Sequence, residues 1–316
     1  MITPAHAVEI KDLTKIYGGS KNAPGREALK NINLAIPRGS IFGLLGPNGA
    51  GKSTLINILA GMVIKTSGEA RVWDYEVSEQ SRMARSAIGV VPQELNLDAF
   101  FTPRRLLELQ AGLYGVPKRE RRTDALLAAV ELVPQANAYA RTLSGGMRRR
   151  LMVAKALVHN PPVLVLDEPT AGVDVELRKA LWEYVRQLNK AGTTVLLTTH
   201  YLEEAQELCD RIAIIHRGEI VANDTTPNLL ARIDNKRVII TTDRDLTEVP
   251  VNMRKVGWDL AGPRHLALNY QPSKSSIGEI LMLVQMSGLA IVDLSTIDTD
   301  LEDIFLQLTR GQKREG

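Results

Sequence analysis

The chain has 316 residues, of which 44% are hydrophobic and 24% charged, a balance that excludes an intrinsically disordered protein. Lysine and arginine total 39 against 36 acidic residues, and a net charge of +3 is too small to indicate a nucleic-acid partner, so none is expected. The single cysteine, Cys209, excludes an intramolecular disulfide and a cysteine-based zinc site and is typical of a reducing compartment. No segment resembles a signal peptide or approaches the about 20 apolar residues of a spanning helix, so a cytoplasmic protein is expected.

The region from Val8 to about Thr225 alternates short apolar runs with longer segments of helical periodicity. This pattern predicts a largely parallel sheet covered by helices. The runs Ile41–Leu45 and Val163–Leu166 are apolar throughout, as expected of central strands that are buried on both faces. We therefore predict an α/β domain over residues 1–225.

A glycine-rich segment follows the first of these runs and precedes the helical run Thr54–Leu59. It matches the pattern of a glycine, four residues, and then Gly-Lys-Ser, whose glycines let backbone N–H groups surround phosphate oxygens at a helix N-terminus. Lys52 is expected to reach the β and γ phosphates of a nucleoside triphosphate, and Ser53 to ligate Mg²⁺. A plain glycine-rich turn is disfavoured, because the full pattern stands in the strand–turn–helix setting. The predicted nucleotide-binding residues are Gly46, Pro47, Asn48, Gly49, Ala50, Gly51, Lys52, Ser53 and Thr54.

Strand signals are missing from Glu94 to Tyr139, where Leu106–Tyr114 and Thr123–Leu132 carry helical spacing. We predict a helical insert between two strands of the sheet.

Two carboxylates, Asp167 and Glu168, stand at the end of the second apolar run. Open α/β sheets bind their ligands at this end of their strands. Asp167 is suited to hold Mg²⁺, and Glu168 to orient or deprotonate a water that attacks the γ phosphate. An acidic pair before a proline is also a good strand-to-loop turn, and the upstream glycine-rich segment is what favours the catalytic interpretation.

A different set of signals begins after residues 226–235, which we interpret as a linker. Strand-like segments at 237–242, 265–270 and 289–294 and helical segments at 276–286 and 301–309 predict a small α+β domain over residues 236–316. This domain could regulate the protein, bind a partner or serve as a stabilising cover.

The segment Leu143-Ser-Gly-Gly-Met147 precedes the helical run Arg148–Val158. With it, residues 8 to 225 strongly resemble the ATP-binding-cassette (ABC) ATPases, whose signature Leu-Ser-Gly-Gly-Gln begins a helix and caps the γ phosphate bound by the opposite subunit. The resemblance gives this role to Ser144, Gly145 and Gly146, while Met147 departs from the usual glutamine. It implies a P-loop NTPase core with an antiparallel β subdomain and a helical subdomain over about residues 94–150.

Four further positions match the family in order. The resemblance makes Tyr17 the aromatic residue that stacks on adenine and Gln93 a Mg²⁺ ligand that senses the membrane partner. It places Asp174 in the loop that crosses the dimer interface, and it makes His200 the switch histidine that contacts the γ phosphate. Each match is weak alone, and their shared order carries the assignment. Glu168, His200 and Gln93 are then the expected catalytic residues.

The family resemblance also implies partners. A signature that acts on another subunit implies a second ATPase subunit, expected to be an identical chain. The segments Leu143–Leu151, Asp167–Asp174 and Leu301–Thr309 look like those of bacterial multidrug, polysaccharide and nodulation-factor exporters. The resemblance thus implies an integral membrane permease of the ABC-2 type, docked near Glu94–Thr102, and attachment to the inner face of the cell membrane. Phe100 and Phe101 in that segment fit either an interface or a core, with core favoured by their aromatic character.

Three other interpretations share part of this pattern. A cassette ATPase that acts on ribosomes or DNA would carry the same catalytic residues, but such proteins usually have two cassettes or long coiled coils, which are not evident here. The ATPase subunit of an importer is harder to distinguish from that of an exporter by these residues. A simple P-loop kinase would leave Leu143–Met147 without a role.

Overall fold

The computed structural model describes residues 4–19, 25–94, 96–170, 175–199, 201–231, 236–272 and 274–298. Its contacts divide the chain into two units, Met1–Thr226 and Pro227–Gly316. No helix in the described ranges is both long and apolar enough to cross a lipid bilayer.

The first unit combines strands and helices in an alternating order. Its elements, with the short helix that ends the series at the unit boundary, are β1 (His6–Tyr17), β2 (Arg26–Pro37), β3 (Ile41–Leu45), α1 (Lys52–Leu59), β4 (Ser67–Val72), β5 (Tyr75–Glu76), α2 (Ser81–Ser86), β6 (Ile88–Val91), α3 (Pro103–Leu113), α4 (Thr123–Ala129), α5 (Gly145–Ala156), β7 (Val163–Asp167), α6 (Val175–Lys190), β8 (Thr194–Thr199), α7 (Leu202–Leu208), β9 (Arg211–His216), β10 (Glu219–Thr225) and α8 (Thr226–Ala231).

A six-stranded sheet with the order β10-β9-β3-β8-β7-β6 forms the centre of this unit. The strands from β9 to β6 are parallel, and β10 pairs antiparallel with β9. Every residue of β3, β7 and β8 is buried, which explains the unbroken apolar runs Ile41–Leu45 and Val163–Leu166. The predicted α/β fold class is confirmed. Because parallel strands end at one edge of the sheet, the residues that follow β3, β6, β7 and β8 meet there.

A second, antiparallel sheet has the order β2-β1-β4-β5. Its apolar residues share one core with α1 and the central sheet, including Ile10, Ile36, Phe42, Leu55 and Ile58. Burial of side chains of this size contributes about 1.5–3 kcal/mol each relative to exposure. This shared core fixes the start of α1 against the central strands.

Two element boundaries fix the positions of the glycine-rich segment and of Gln93. Helix α1 begins at Lys52 rather than Thr54, directly after Gly51, whose φ of 118° is incompatible with a right-handed helix. Strand β6 ends at Val91, because Pro92 has no N–H to continue a ladder. Gln93 is therefore a loop residue.

Helices α3, α4 and α5 lie between β6 and β7 in the chain. Thr102 caps α3 by accepting a hydrogen bond from the Arg105 N–H, and Pro103 occupies the first turn. The core interpretation of the preceding Phe100 was wrong, since the residue is 73% exposed, whereas Phe101 is half-buried. The backbone N–H of Phe100 donates to the Asp98 carboxylate in a turn, which leaves the ring outside the core.

Within residues 236–272 and 274–298, the second unit contains one antiparallel sheet and two helices. Its elements are β11 (Lys236–Thr242), α9 (Val251–Arg254), β12 (Asp259–Gly262), β13 (His265–Tyr270), α10 (Ile277–Met286) and β14 (Ile291–Asp298), and its sheet order is β12-β13-β11-β14. Trp258, Met253 and Val284 lie in its core. The last strand begins at Ile291 rather than Leu289, which follows the left-handed Gly288 and packs into that core. The predicted helix 301–309 lies outside the described residues.

Candidate functional site

The glycine-rich loop Gly46–Gly51 connects β3 to α1, and two of its glycines are required by close packing. A Cβ on Gly46 would lie 2.3 Å from the carbonyl oxygen of Ile215, and one on Gly51 would lie 2.8 Å from that of Ala28. The backbone of the loop therefore lies directly on β9 and β2, where a side chain has no room.

The Gly46 contact predicts a stability effect. Gly46→Ala should lower the free energy of unfolding by about 1–3 kcal/mol, the usual range for overpacking, because the added methyl group meets a backbone atom that cannot rotate away. Gly145→Ala is the matched control, since a Cβ there has no atom within 4 Å. Urea unfolding followed by circular dichroism tests this, and equal midpoints for the two variants would contradict the packing argument.

The ammonium of Lys52 is buried at the start of α1. It donates to the carbonyl oxygens of Gly46, at 2.6 Å, and Pro47, at 3.3 Å, and lies 3.4 Å from Oε1 of Glu168. The two charged side chains are only 5% and 6% exposed. This charge pair lies at the carboxyl edge of the sheet, where open α/β folds bind their ligands.

Glu168 is held in an unusual backbone conformation. Its φ is 46°, a left-handed value that costs about 1–2 kcal/mol for a residue other than glycine. Its N–H donates to both the carbonyl and the hydroxyl oxygen of Thr198 on β8, at 3.1 and 3.0 Å. The side-chain N–H of Gln93 donates to Oε2 of Glu168 at 3.1 Å, so the loop after β6 meets the end of β7.

Asp167 lies beside Glu168 and is buried. The hydroxyl of Thr198 donates to its Oδ1 at 2.5 Å. Burial raises the pKa of Asp167, and repulsion from Glu168 adds to that rise, while hydrogen bonds from Thr198 and Ser53 and the charge of Lys52 oppose it. A cation placed here would offset the desolvation of this carboxylate.

A cavity of about 440 Å³ opens over the glycine-rich loop. It is lined by most of the predicted nucleotide-binding residues and by two that were not predicted, Arg26 and Ala28 on β2. Tyr17 pairs with Arg26 across β1 and β2 and stands at the rim, half covered, with the Lys15 ammonium 4.7 Å from its ring centre. The predicted residues in the lining are Tyr17, Pro47, Asn48, Gly49, Gly51, Lys52, Ser53, Thr54, Gln93 and Glu168.

Two predicted residues of the loop, Gly46 and Ala50, do not line the cavity. The Gly46 carbonyl binds Lys52, and Ala50 is buried, with its carbonyl accepting from the Gly218 N–H. Asp174 and His200, with the loop 171–174, lie outside the described residues.

The segment Ser144–Gly146 is not part of the cavity wall. Ser144 is the N-cap of α5, and its hydroxyl accepts from the Met147 N–H at 3.2 Å. Ser144 and Gly145 are exposed, and the space around Gly145 is open. The free N–H groups of this helix start form an anion-binding end directed at solvent.

Sequence reasoning missed several polar residues that hold this site. Glu204 on α7 is buried and accepts hydrogen bonds from Thr170, at 2.9 Å, and Thr199, at 3.1 Å, while Arg178 Nε lies 3.4 Å from it. Arg149 on α5 bonds the backbone of the Gln93 loop. Apart from the Thr199–Glu204 bond, these contacts join residues that are more than 20 positions apart, so no local sequence pattern predicts them.

This chain is similar in sequence and in structure to known proteins. A family model described as "ABC transporter" matches residues 29–171. Among solved structures, an ATP-binding subunit of an ABC transporter superimposes with a TM-score of 0.64 at 29% identity, covering 72% of this chain and 92% of that chain. A dimeric post-hydrolysis ATP-binding cassette bound to ADP and Pi gives a TM-score of 0.62 at 30% identity, covering 69% and 98%.

Two curated relatives match nearly the full length. The linearmycin resistance ATP-binding protein LnrL of Bacillus subtilis is 34% identical over 312 residues, covering 93% of this chain and 98% of the relative. The Nod factor export ATP-binding protein I of Rhizobium meliloti is 36% identical over 319 residues, covering 99% and 90%. With the cavity, the charge pair and the signature helix described above, these matches show that the chain belongs to the ABC transporter family, as an ATP-binding subunit with ATPase activity.

Proposed function

We propose that this subunit drives export of a substrate through a separate membrane permease, by ATP-dependent closure and hydrolysis-dependent opening of a cassette dimer. The observation that carries the proposal is the contact of Lys52, Glu168 and Gln93 at one wall of the nucleotide cavity. These three side chains come from the ends of three elements that the parallel sheet brings together. Export as the direction is supported by relatives that are named for resistance and for export.

A single chain supplies only half of each complete site. Ser144 and Gly145 lie at an exposed helix start and do not line the cavity of their own chain. We infer that Ser144–Gly146 cap the γ phosphate of ATP bound by a second subunit, with an identical chain as the simplest partner. Asp174 and His200 are proposed to complete that interface, the first across the dimer and the second at the γ phosphate.

The donors beside the cavity fit Mg²⁺. Ser53 and Gln93 line it, and Asp167 lies buried next to them, with a pKa that desolvation raises despite the nearby charge of Lys52. Hydroxyl, amide and carboxylate oxygens are the ligands that this ion prefers. When bound there, Mg²⁺ would neutralise charge on the β and γ phosphates.

The residues of the chain then have separate tasks. Tyr17 would stack on adenine, and the amides of the Gly46–Thr54 loop would bind the phosphates. Lys52 must exchange the Gly46 and Pro47 carbonyls for phosphate oxygens, which releases Glu168 from its ion pair. Glu168 would then accept the proton of the attacking water while Gln93 fixes its carboxylate.

The permease is proposed to dock on the segment that follows Gln93. Phe100 is highly exposed there, and the guanidinium of Arg141 lies 5.7 Å from its ring and 5.3 Å from that of Tyr139. An exposed aromatic group of this kind is typical of a protein interface. We propose that an ABC-2 type permease occupies it and thereby holds the ATPase at the inner face of the cell membrane.

Affinity capture tests this proposal. Glu168→Gln, loaded with ATP, should co-purify from native membranes in mild detergent with a polytopic membrane protein as its main partner, identified by mass spectrometry. Phe100→Ser in the same background should lose that partner but keep ATP binding. Ribosomal or DNA-repair proteins without a permease would contradict transport, and co-purification of an external binding protein would contradict export and indicate an importer.

A further inference from the structure

The signature helix α5 contains three consecutive arginines with different environments. Arg150 pairs with Glu131 at 2.6 Å, and Arg148 is half-buried. Arg149, between them, is only 5% exposed. Its Nη1 donates to the carbonyl oxygens of Pro92, at 3.1 Å, and Gln93, at 3.0 Å.

The burial of Arg149 is not compensated by an acidic partner within the described part of the chain. No ion pair to it is found there, and its Nε has no hydrogen-bond partner among those residues. Burial accordingly lowers the pKa of this guanidinium. A buried cation whose partners are only backbone carbonyls is a poor source of stability, because the desolvation cost exceeds what neutral acceptors return. Its placement is better explained by the geometry that it imposes.

The contact of Arg149 joins the two segments by which this chain contributes to two different ATPase sites. On one side, the bonded carbonyls belong to the loop whose Gln93 side chain donates to Glu168. On the other side, Arg149 stands one helical turn after Gly145, at the start of the same rigid helix that presents Ser144–Gly146. The planar guanidinium fixes both carbonyls at once.

We propose that Arg149 is a positioning residue that sets the spacing between Gln93, which acts in the site of its own chain, and Ser144–Gly146, which act in the site of the partner subunit. This inference rests on the proposed function, since it uses the roles assigned there to these residues. Arg149 does not line the nucleotide cavity. Its loss leaves the Gly46–Thr54 loop intact and releases the Gln93 loop from α5, so that closure no longer brings both halves into place together.

Steady-state ATPase kinetics of the full chain test this inference. Since a displacement of about 1 Å in an active site can cost about 100-fold, we expect Arg149→Met to lower kcat by about 30-fold while KM for ATP stays within about 3-fold. Arg149→Lys keeps the charge but not the two-carbonyl geometry, and should lose about 5-fold in kcat. In the Glu168→Gln background, Arg149→Met should lower the fraction of dimer formed at saturating ATP about 10-fold, with unchanged binding of a fluorescent ATP analogue.

Arg121→Met is the matched control for a merely structural role. Arg121 lies in the same helical region, with Nη1 2.7 Å from Glu108 and Nε donating to the Val116 carbonyl. It should lower the melting temperature but keep kcat within about 2-fold. Equal kcat losses in Arg149→Met and Arg121→Met, or a KM increase at unchanged kcat, would overturn the inference. If Arg149→Met does not fold, wild-type kcat in Arg149→Lys would overturn it instead. A failure of the proposed function would be seen in the Glu168→Gln variant that keeps Arg149. That variant would still hydrolyse ATP and would not form an ATP-dependent dimer.

Discussion

Glu168→Gln is expected to lower the rate of ATP hydrolysis by about 100-fold or more, because a general base contributes about 10²–10⁴-fold. The amide has the shape of the carboxylate, so its oxygen still accepts from Gln93, and the hydrogen bonds between the residue 168 N–H and Thr198 are unaffected. Lys52 keeps the Gly46 and Pro47 carbonyls as partners after the charge of Glu168 is removed. The fold and the binding of ATP should therefore survive while proton acceptance is lost.

The measurement is steady-state phosphate release, with ATP binding and dimer formation recorded on the same preparation. The variant should bind ATP as the wild type does and accumulate as a dimer, because hydrolysis no longer opens the closed dimer. Glu207→Gln serves as the control, because Glu207 forms an exposed ion pair with Arg186 and should leave turnover unchanged. Wild-type hydrolysis by Glu168→Gln would remove the residue from its proposed role.

The local parts of the site could be predicted from the sequence because the residues that form them are consecutive in the chain. The glycines of the loop, Lys52 and Ser53 are specified by one short pattern between a strand and a helix. The apolar run before Asp167 indicates a buried strand, and the parallel arrangement of such strands fixes where the carboxylates emerge. The comparisons confirm the family on this basis, while the roles of the single residues remain predictions.

The supporting contacts could not be predicted, because they depend on pairings between distant segments. Thr198 bonds the carboxylate of Asp167 and the backbone N–H of Glu168 only through the register of β7 and β8, in which Asp167 pairs with Thr198. Arg26 reaches the cavity through its pairing with Tyr17. Arg149 looks like any other residue in a basic run, and only the packing of α5 against the loop after β6 distinguishes it.

The prediction for Phe100 was wrong for a related reason. Aromatic character alone favours burial, but a residue in a turn before a helix has no neighbouring elements to cover it unless the tertiary fold supplies them. An exposed ring beside Arg141 is instead consistent with a surface that a second protein covers.

The second large effect is expected from Gly145→Asp, which should lower turnover by about 100-fold without destabilising the protein. Gly145 is the first residue of α5, where an acidic side chain interacts favourably with the helix dipole and stabilises by about 0.3–1 kcal/mol. A Cβ at this position meets no atom within 4 Å. In the proposed closed dimer, however, the new carboxylate would face the γ phosphate of the partner's ATP. Two unit charges about 4 Å apart repel by about 4 kcal/mol near a protein surface.

Thermal unfolding and ATP hydrolysis of the same variant therefore separate the two effects. We expect an unchanged or raised melting temperature, unchanged ATP binding to the single chain, and loss of both dimer formation and turnover. Gly145→Asn has nearly the same size without the charge and should lose less, about 10-fold, because only bulk opposes closure. Wild-type turnover in Gly145→Asp would mean that this helix start does not face phosphate, and the half-site supplied to the second subunit would have to lie elsewhere on the chain.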